Sequence, residues 1–208
     1  MTLTKKILLA LGAAAAAGAM HAQTMSTTTP VGVLGHNYTE LSLGLQDIKD
    51  LSPHFYDASI SGNVPVTPNL DLAAGYSYGW IRGSVRGHSN TLTTTATAYT
   101  LAGGVKPFVG VGLGYQWTHF AGFRDNQGLW GAAVGVEIPA GRVSITPRIV
   151  YADDFESSSN SSQETTYEVE GNYWVSAKTG VFASIGKTDV HHNGGEAWNY
   201  RLGVRMKF

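Results

Sequence analysis

The chain ends in Trp198-Asn199-Tyr200-Arg201-Leu202-Gly203-Val204-Arg205-Met206-Lys207-Phe208. Successive residues of a strand point to opposite faces. Trp198, Tyr200, Leu202, Val204, Met206 and Phe208 therefore share one face, and Asn199, Arg201, Gly203, Arg205 and Lys207 share the other. Soluble sheets also alternate. A soluble strand rarely runs this long with aromatics at both ends of its apolar face. The pattern fits a strand that spans an outer membrane, apolar toward lipid and polar toward a lumen.

The other end of the chain agrees. Lys5 and Lys6 precede an apolar run from Ile7 to Ala17, and small residues follow as far as His21-Ala22-Gln23. A charged start, a short apolar stretch and a small-residue cleavage zone make a signal peptide. The run is well short of the ~20 apolar residues of a helical anchor. Residues 1–22 are read as the signal, with cleavage after Ala22 (after Ala19 is the alternative), and residues 23–208 as one domain. Loss of Lys5 and Lys6 makes a chain of formal charge −1 slightly more acidic, so nucleic acid is not an expected partner. There is no cysteine, so disulfides do not hold this exported chain. Only 14% of residues are charged, and 26 are glycine. No later run is long and apolar enough for a spanning helix.

Alternation recurs ten times, with turn signals between the runs. The runs fall at about 36–46, 55–64, 70–81, 91–103, 108–118, 128–138, 143–152, 165–175, 180–187 and 198–208. Val109, Val111, Leu113, Tyr115 and Trp117 alternate most cleanly, against Gly110, Gly112, Gly114 and Gln116. The run at 91–103 is threonine-rich and its facing is ambiguous. Longer polar connections are expected at 47–54, 82–90, 119–127, 153–164 and 188–195, with short turns on the other side. Trp80, Trp117, Trp130, Tyr151, Tyr167 and Trp198 fall at the expected outer ends of strands, as membrane-interface aromatics. Tyr38, Tyr173 and Phe208 are expected to form a second girdle. The fold expected is all-β: a closed antiparallel up-and-down transmembrane barrel of ten strands, with eight as the alternative.

The signal peptide, Lys106-Pro-Phe-Val-Gly-Val-Gly-Leu-Gly-Tyr115 and the terminal strand together resemble small bacterial outer-membrane β-barrels of the OmpA/OmpX-like superfamily. The resemblance covers essentially the whole chain after residue 22, as a pattern. It implies a monomer in the cell outer membrane, in contact with outer-membrane lipids and lipopolysaccharide. In that superfamily the terminal aromatic strand is recognised by the barrel-assembly machinery, and Tyr200, Val204, Met206 and Phe208 match that role. No plug is expected before the first strand and no peptidoglycan-binding domain after Phe208.

The polar faces should line the lumen with Glu40, Asp57, Asp71, Glu137, Glu168 and Glu170 against Arg148, Arg201 and Arg205. Buried charges demand partners. Neighbouring strands put Arg148 opposite Glu168 or Glu170, and Arg201 or Arg205 opposite Glu40. This polar network is either a stabilising filling or the wall of a narrow pore that Gly110, Gly112, Gly114, Gly131 and Gly135 leave open. Omptin proteases, ten-stranded barrels, use an Asp-x-His pair with a second acidic pair at the rim. Asp189-Val190-His191 has the spacing, but no Asp-x-Asp partner is present. His191, His192, Asp189 and Glu196 read as a solvated loop rather than a metal site. No cofactor is expected. The leading reading is a non-enzymatic structural or surface-interaction role through extracellular loops, with an unnamed surface ligand. A narrow passive channel is the alternative, a rim enzyme a weaker one, and a soluble secreted sandwich the rival fold.

Overall fold

A computed structural model of the chain describes residues 32–49, 54–82, 87–120, 122–155, 163–191 and 195–208. The expected signal peptide lies outside the described residues. Ten strands follow one another: β1 (Tyr38–Ile48), β2 (His54–Thr67), β3 (Leu70–Arg82), β4 (Gly87–Tyr99), β5 (Lys106–Phe120), β6 (Phe123–Ala140), β7 (Val143–Asp154), β8 (Glu164–Trp174), β9 (Thr179–Val190) and β10 (Gly195–Lys207). Each pairs antiparallel with its sequence neighbours, and β1 pairs with β10, so the sheet is a closed barrel. The seam runs from Tyr38↔Lys207 to Ile48↔Ala197. Closure leaves no strand edge facing outward, the condition for a sheet in lipid.

The two faces are sorted in the opposite sense to a soluble protein. Leu202 is 62% exposed and Val111 63%, whereas Arg205 is 1% exposed and Glu137 0%. Leu41, Leu43, Ile60, Leu72, Leu92, Val134, Ile145 and Val169 join the outward apolar band. This is the surface of a barrel that sits in a membrane. β4 takes a definite phase: Leu92, Thr94 and Ala98 are exposed, and Thr91, Thr93 and Thr97 are buried. Threonine occupies both faces, which is why its alternation is hard to read.

Three expectations need correction. The connections on the side away from the termini are shorter than the polarity of the sequence suggested. Strand pairing continues through His119↔Arg124 to Phe120↔Phe123, so most of 119–127 is paired strand, with Gly122 at a φ of 88°. β3 likewise extends to Arg82, and β4 begins at Gly87 rather than near 91. Outward polar side chains at the rim of a barrel are compatible with continued pairing, so polarity does not mark the strand end. Second, Tyr38 does not join an outer girdle. It shares the inward phase of Glu40 and is fully buried. Third, a segment does occupy the lumen before β1. Val33 and Leu34 are buried inside the barrel mouth beside Tyr38, Trp174, Tyr99 and Phe108.

Leu202 sits midway along the seam, paired with Leu43 and Ala183. Leu202→Arg is expected to lower folding stability in lipid by about 2–4 kcal/mol, the cost of a cation at the midplane of the bilayer. Urea titration of heat-modifiable barrel in vesicles measures it. A change near zero would mean that this belt does not face hydrocarbon.

Candidate functional site

Two features stand out: the filled lumen and the rim away from the termini. The lumen begins with strand alternation. β8 directs Thr166, Glu168, Glu170, Asn172 and Trp174 inward, and β7 directs Arg148 beside them. Arg148 donates from Nε to Glu168 Oε2 at 3.0 Å and from Nη2 to Glu170 Oε2 at 3.3 Å. Arg205 donates from Nε to Glu40 Oε2 at 2.8 Å, and from Nη1 to Glu170 Oε1 at 2.7 Å and to Asn172 Oδ1 at 3.3 Å. Its guanidinium lies 4.1 Å from the centre of the Phe182 ring and 5.6 Å from that of Tyr38. Glu168, Arg148, Glu170, Arg205 and Glu40 thus form one alternating chain of charges from β7 across to β1. Arg201 approaches Asp57 at 3.8 Å.

Reaching β8 from β10 means crossing β9, and small residues make room. A Cβ on Gly203 would lie 2.5 Å from the Phe182 ring. Glycine there lets the ring lie flat beneath Arg205. Gly135 similarly accepts the Phe108 ring, whose tip would be 2.6 Å from a Cβ. Of the glycines that in sequence suggested empty space, Gly135 is thus covered by a ring, and a Cβ on Gly110 or Gly114 would meet a threonine side chain at 3.4 or 3.0 Å.

At the end that holds the termini, the lumen is closed by the chain itself. Gly32 and Gly35, at φ of 123° and 106°, turn the segment inward. Val33 N–H donates to Glu137 Oε1 at 2.5 Å and Leu34 N–H to Glu137 Oε2 at 3.4 Å. Lys106 donates to the same carboxylate at 3.2 Å and to the Leu34 carbonyl at 3.3 Å. Trp174 Nε1 donates to the Gly32 carbonyl at 3.0 Å. Asn63 bridges the His36 carbonyl and Asp71 Oδ2, both at 3.0 Å. A buried carboxylate that receives two backbone N–H groups and an ammonium is well satisfied. Burial first, then Lys207 and Lys106, push the His36 imidazole down to about 4.

Beyond the charges, the lumen carries hydroxyl and amide bonds: Ser42 to Ser59 at 2.6 Å, Gln127 to Gln116 at 2.9 Å and Asn199 to Thr188 at 2.6 Å. Further still, Ile48, Phe55, Ile81, Phe120, Leu129 and Ala197 face inward and are buried. Sequence reasoning missed this inner apolar ring and the Glu137–Lys106 cradle. Both were recorded in strand phase, since Ile81 and Phe120 fall out of step with the outward residues beside them.

Around the rim, Trp80, Trp117, Trp130, Tyr151, Tyr167 and Trp198 lie on the outward face. Tyr56 stacks on Trp80 with centroids 5.8 Å apart, and Trp130 meets Tyr151 at 5.4 Å. Tyr200, Val204 and Met206 are exposed on the outward face of β10, and Phe208, just past its end, is exposed too. Asp189 is ion-paired with Lys187 at 3.1 Å, and His191 Nε2 lies 2.8 Å from Thr165 Oγ1. Asp153 bonds Tyr151 OH at 3.2 Å. These contacts engage Asp189 and His191 with separate partners rather than with each other.

No protein-family model and no curated protein matches this sequence. The structure is similar to the translocator domain of autotransporter NalP from Neisseria meningitidis, with a TM-score of 0.54 and 9% identity over 99% of this chain and 96% of that one. It is also similar to the NanC porin, with a TM-score of 0.50 and 10% identity over 82% of this chain and 100% of that one. The likeness is one of fold. It is the fold of outer-membrane β-barrels.

Arg205→Ala is expected to cost about 3–5 kcal/mol, because Glu40 and Glu170 would stay buried without their shared cation. Arg201→Ala, which loses a longer contact, should cost clearly less. Chemical unfolding of both variants in one detergent checks the order, and equal losses would remove Arg205 from the centre of the network. Acidification supplies a second check. The folded His36 value of about 4 lies below the 6.5 of the free side chain, so the unfolded chain takes up that proton first. Stability contributed by the packed segment is full above 6.5 and falls as pH drops toward 4. Thermal unfolding of His36→Phe should show a smaller acid loss than the parent chain. Identical acid profiles would show that His36 plays no part.

Proposed function

We propose that this chain is an integral outer-membrane β-barrel with a sealed lumen, non-enzymatic, whose work is done at the rim away from its termini. The end holding the termini faces the periplasm in this reading, as an even strand count and an N-terminal signal peptide require. The opposite end then faces the exterior. The observation that carries the proposal is the filling of the lumen. The Glu168–Arg148–Glu170–Arg205–Glu40 chain crosses it, and Val33 and Leu34 sit against Glu137 in its periplasmic mouth.

A stabilising filling explains both features. Barrels near this strand number have interiors that side chains can fill. A pore would need an open path along the lumen wall, whereas here the charged groups are paired with one another inside it. Outer-membrane lipids and lipopolysaccharide surround the apolar band in this reading. The outward face of β10, with Tyr200, Val204, Met206 and Phe208, is offered to the barrel-assembly machinery.

Refolded protein, with its heat-modifiable gel mobility established, should give no stable conductance steps in a planar bilayer. Ohmic, ion-selective steps from the unaltered chain would replace the sealed reading with that of a narrow channel. Deletion of residues 23–37 together with Arg205→Ala is expected to create conductance where the parent has none.

A further inference from the structure

The charged groups at the outer rim are unevenly distributed. On β9, β10 and β1 they are paired: Lys187 with Glu196 and Asp189, both at 3.1 Å, and Lys49 with Glu196 at 3.3 Å. Asp47 lies 3.4 Å from His54 on β2. From β3 to β6 the Arg, Lys, His, Asp and Glu side chains on the outward phase of the described rim are Arg82, His88, His119 and Arg124; Asp125, also exposed, falls on the lumen phase opposite Thr118. Neither arginine has a carboxylate partner there.

Strand register places them in a row. Trp80 pairs with His88, His88 with His119, and His119 with Arg124, while Arg82 lies one step farther out, paired with His54. The imidazoles of His88 and His119 are stacked, with centroids 5.0 Å apart and planes at 11°. His88 also stacks on Tyr78 at 5.9 Å, and Tyr78 on Trp80 at 5.9 Å. His119 Nδ1 is buried and has no hydrogen-bond partner among the described residues. With strands ~4.8 Å apart, the three side chains from β4 to β6 span roughly 10 Å.

We propose that His88, His119 and Arg124, with Arg82 above them, form a binding site for the phosphate of an anionic lipid headgroup in the outer leaflet. The inference rests on the outer-membrane reading given above. A guanidinium beside the imidazoles repels a metal cation and matches a phosphate, with which it forms paired hydrogen bonds. The rings of Trp80 and Tyr56 continue the row across β3 and β2, and Tyr78 lies one step below it, at the depth where aromatic side chains mark a membrane interface. Below them, Leu92, Tyr115 and Leu113 continue the exposed apolar band on the same strands. A headgroup on the row therefore has its acyl chains on hydrocarbon-facing surface. This continuity selects a lipid over a soluble anion.

The test uses the full barrel in phosphatidylcholine nanodiscs that contain a minor fraction of a bisphosphorylated glucosamine lipid. Native mass spectrometry counts the lipids retained on release. The parent chain should retain the phosphorylated lipid in preference to phosphatidylcholine. Arg124→Ala and His119→Ala should each reduce that preference by about tenfold, the scale of one lost charge-assisted hydrogen bond. Lys187→Ala, on the paired side of the rim, should leave it unchanged. Equal retention by parent and both row variants would overturn the site. Displacement of the lipid by inorganic phosphate alone would overturn the assignment to a lipid. Heat-modifiable mobility of the same samples reads the barrel itself, so a failed fold and a failed site give different results.

Discussion

Everything in this molecule depends on β1 meeting β10. Lipid offers no hydrogen-bond partner to an open edge, so ten strands are stable in it only as a closed ring. The pairing that closes the ring joins residues at opposite ends of the described chain, Tyr38 with Lys207 and Ile48 with Ala197. Glu40 and Arg205 are direct partners across that seam and are also ion-paired inside it at 2.8 Å. The same arginine reaches over β9 to Glu170 on β8. A backbone constraint and a side-chain network therefore converge on one place.

A membrane barrel has less apolar surface to bury in its centre than a soluble domain, because most of its apolar face is in hydrocarbon. Much of this interior is polar, and polar groups inside must be satisfied. The chain meets this demand in layers. Nearest the termini, Glu137 gathers Lys106 and two backbone N–H groups of the incoming segment. In the middle, carboxylates and guanidinium groups alternate. Beyond them come hydroxyl and amide bonds, and then a ring of inward apolar side chains. No disulfide contributes, since the chain contains no cysteine.

Much of the architecture was legible because lipid enforces a period of two. Each of the ten alternating runs corresponds to a strand, and the phase that put Leu202 outward put Arg205 inward. Adjacent strands also announced which charges could meet, as with Arg148 and Glu168. Long-range geometry was not legible. That Arg205 would cross β9 depended on Gly203 clearing space for Phe182, a relation between strands that no local pattern encodes. The cradle at Glu137 involves Val33 and Leu34, more than a hundred positions away, in a stretch with no alternation to read. The outer hairpin was misjudged because Arg124, Asp125 and Asn126 look like a loop, although polar side chains at a barrel rim pair as well as any.

The seam ion pair also bears on which alignment the two end strands adopt. A slip of one residue would turn every side chain of β10 to the wrong face, and the bilayer rejects it outright. A slip of two residues keeps each face correct: leucine still meets lipid and arginine still meets the lumen. Hydrophobic patterning is blind to that error. It would, however, set Glu40 opposite Gly203 or Lys207 and strip Arg205 of its direct partner, while the backbone of β1 would face a different inner residue from the Gly203 that clears Phe182. The charge pair and the glycine thus distinguish the native shear of the barrel from its nearest acceptable competitor, acting as a registration mark between the first strand made and the last.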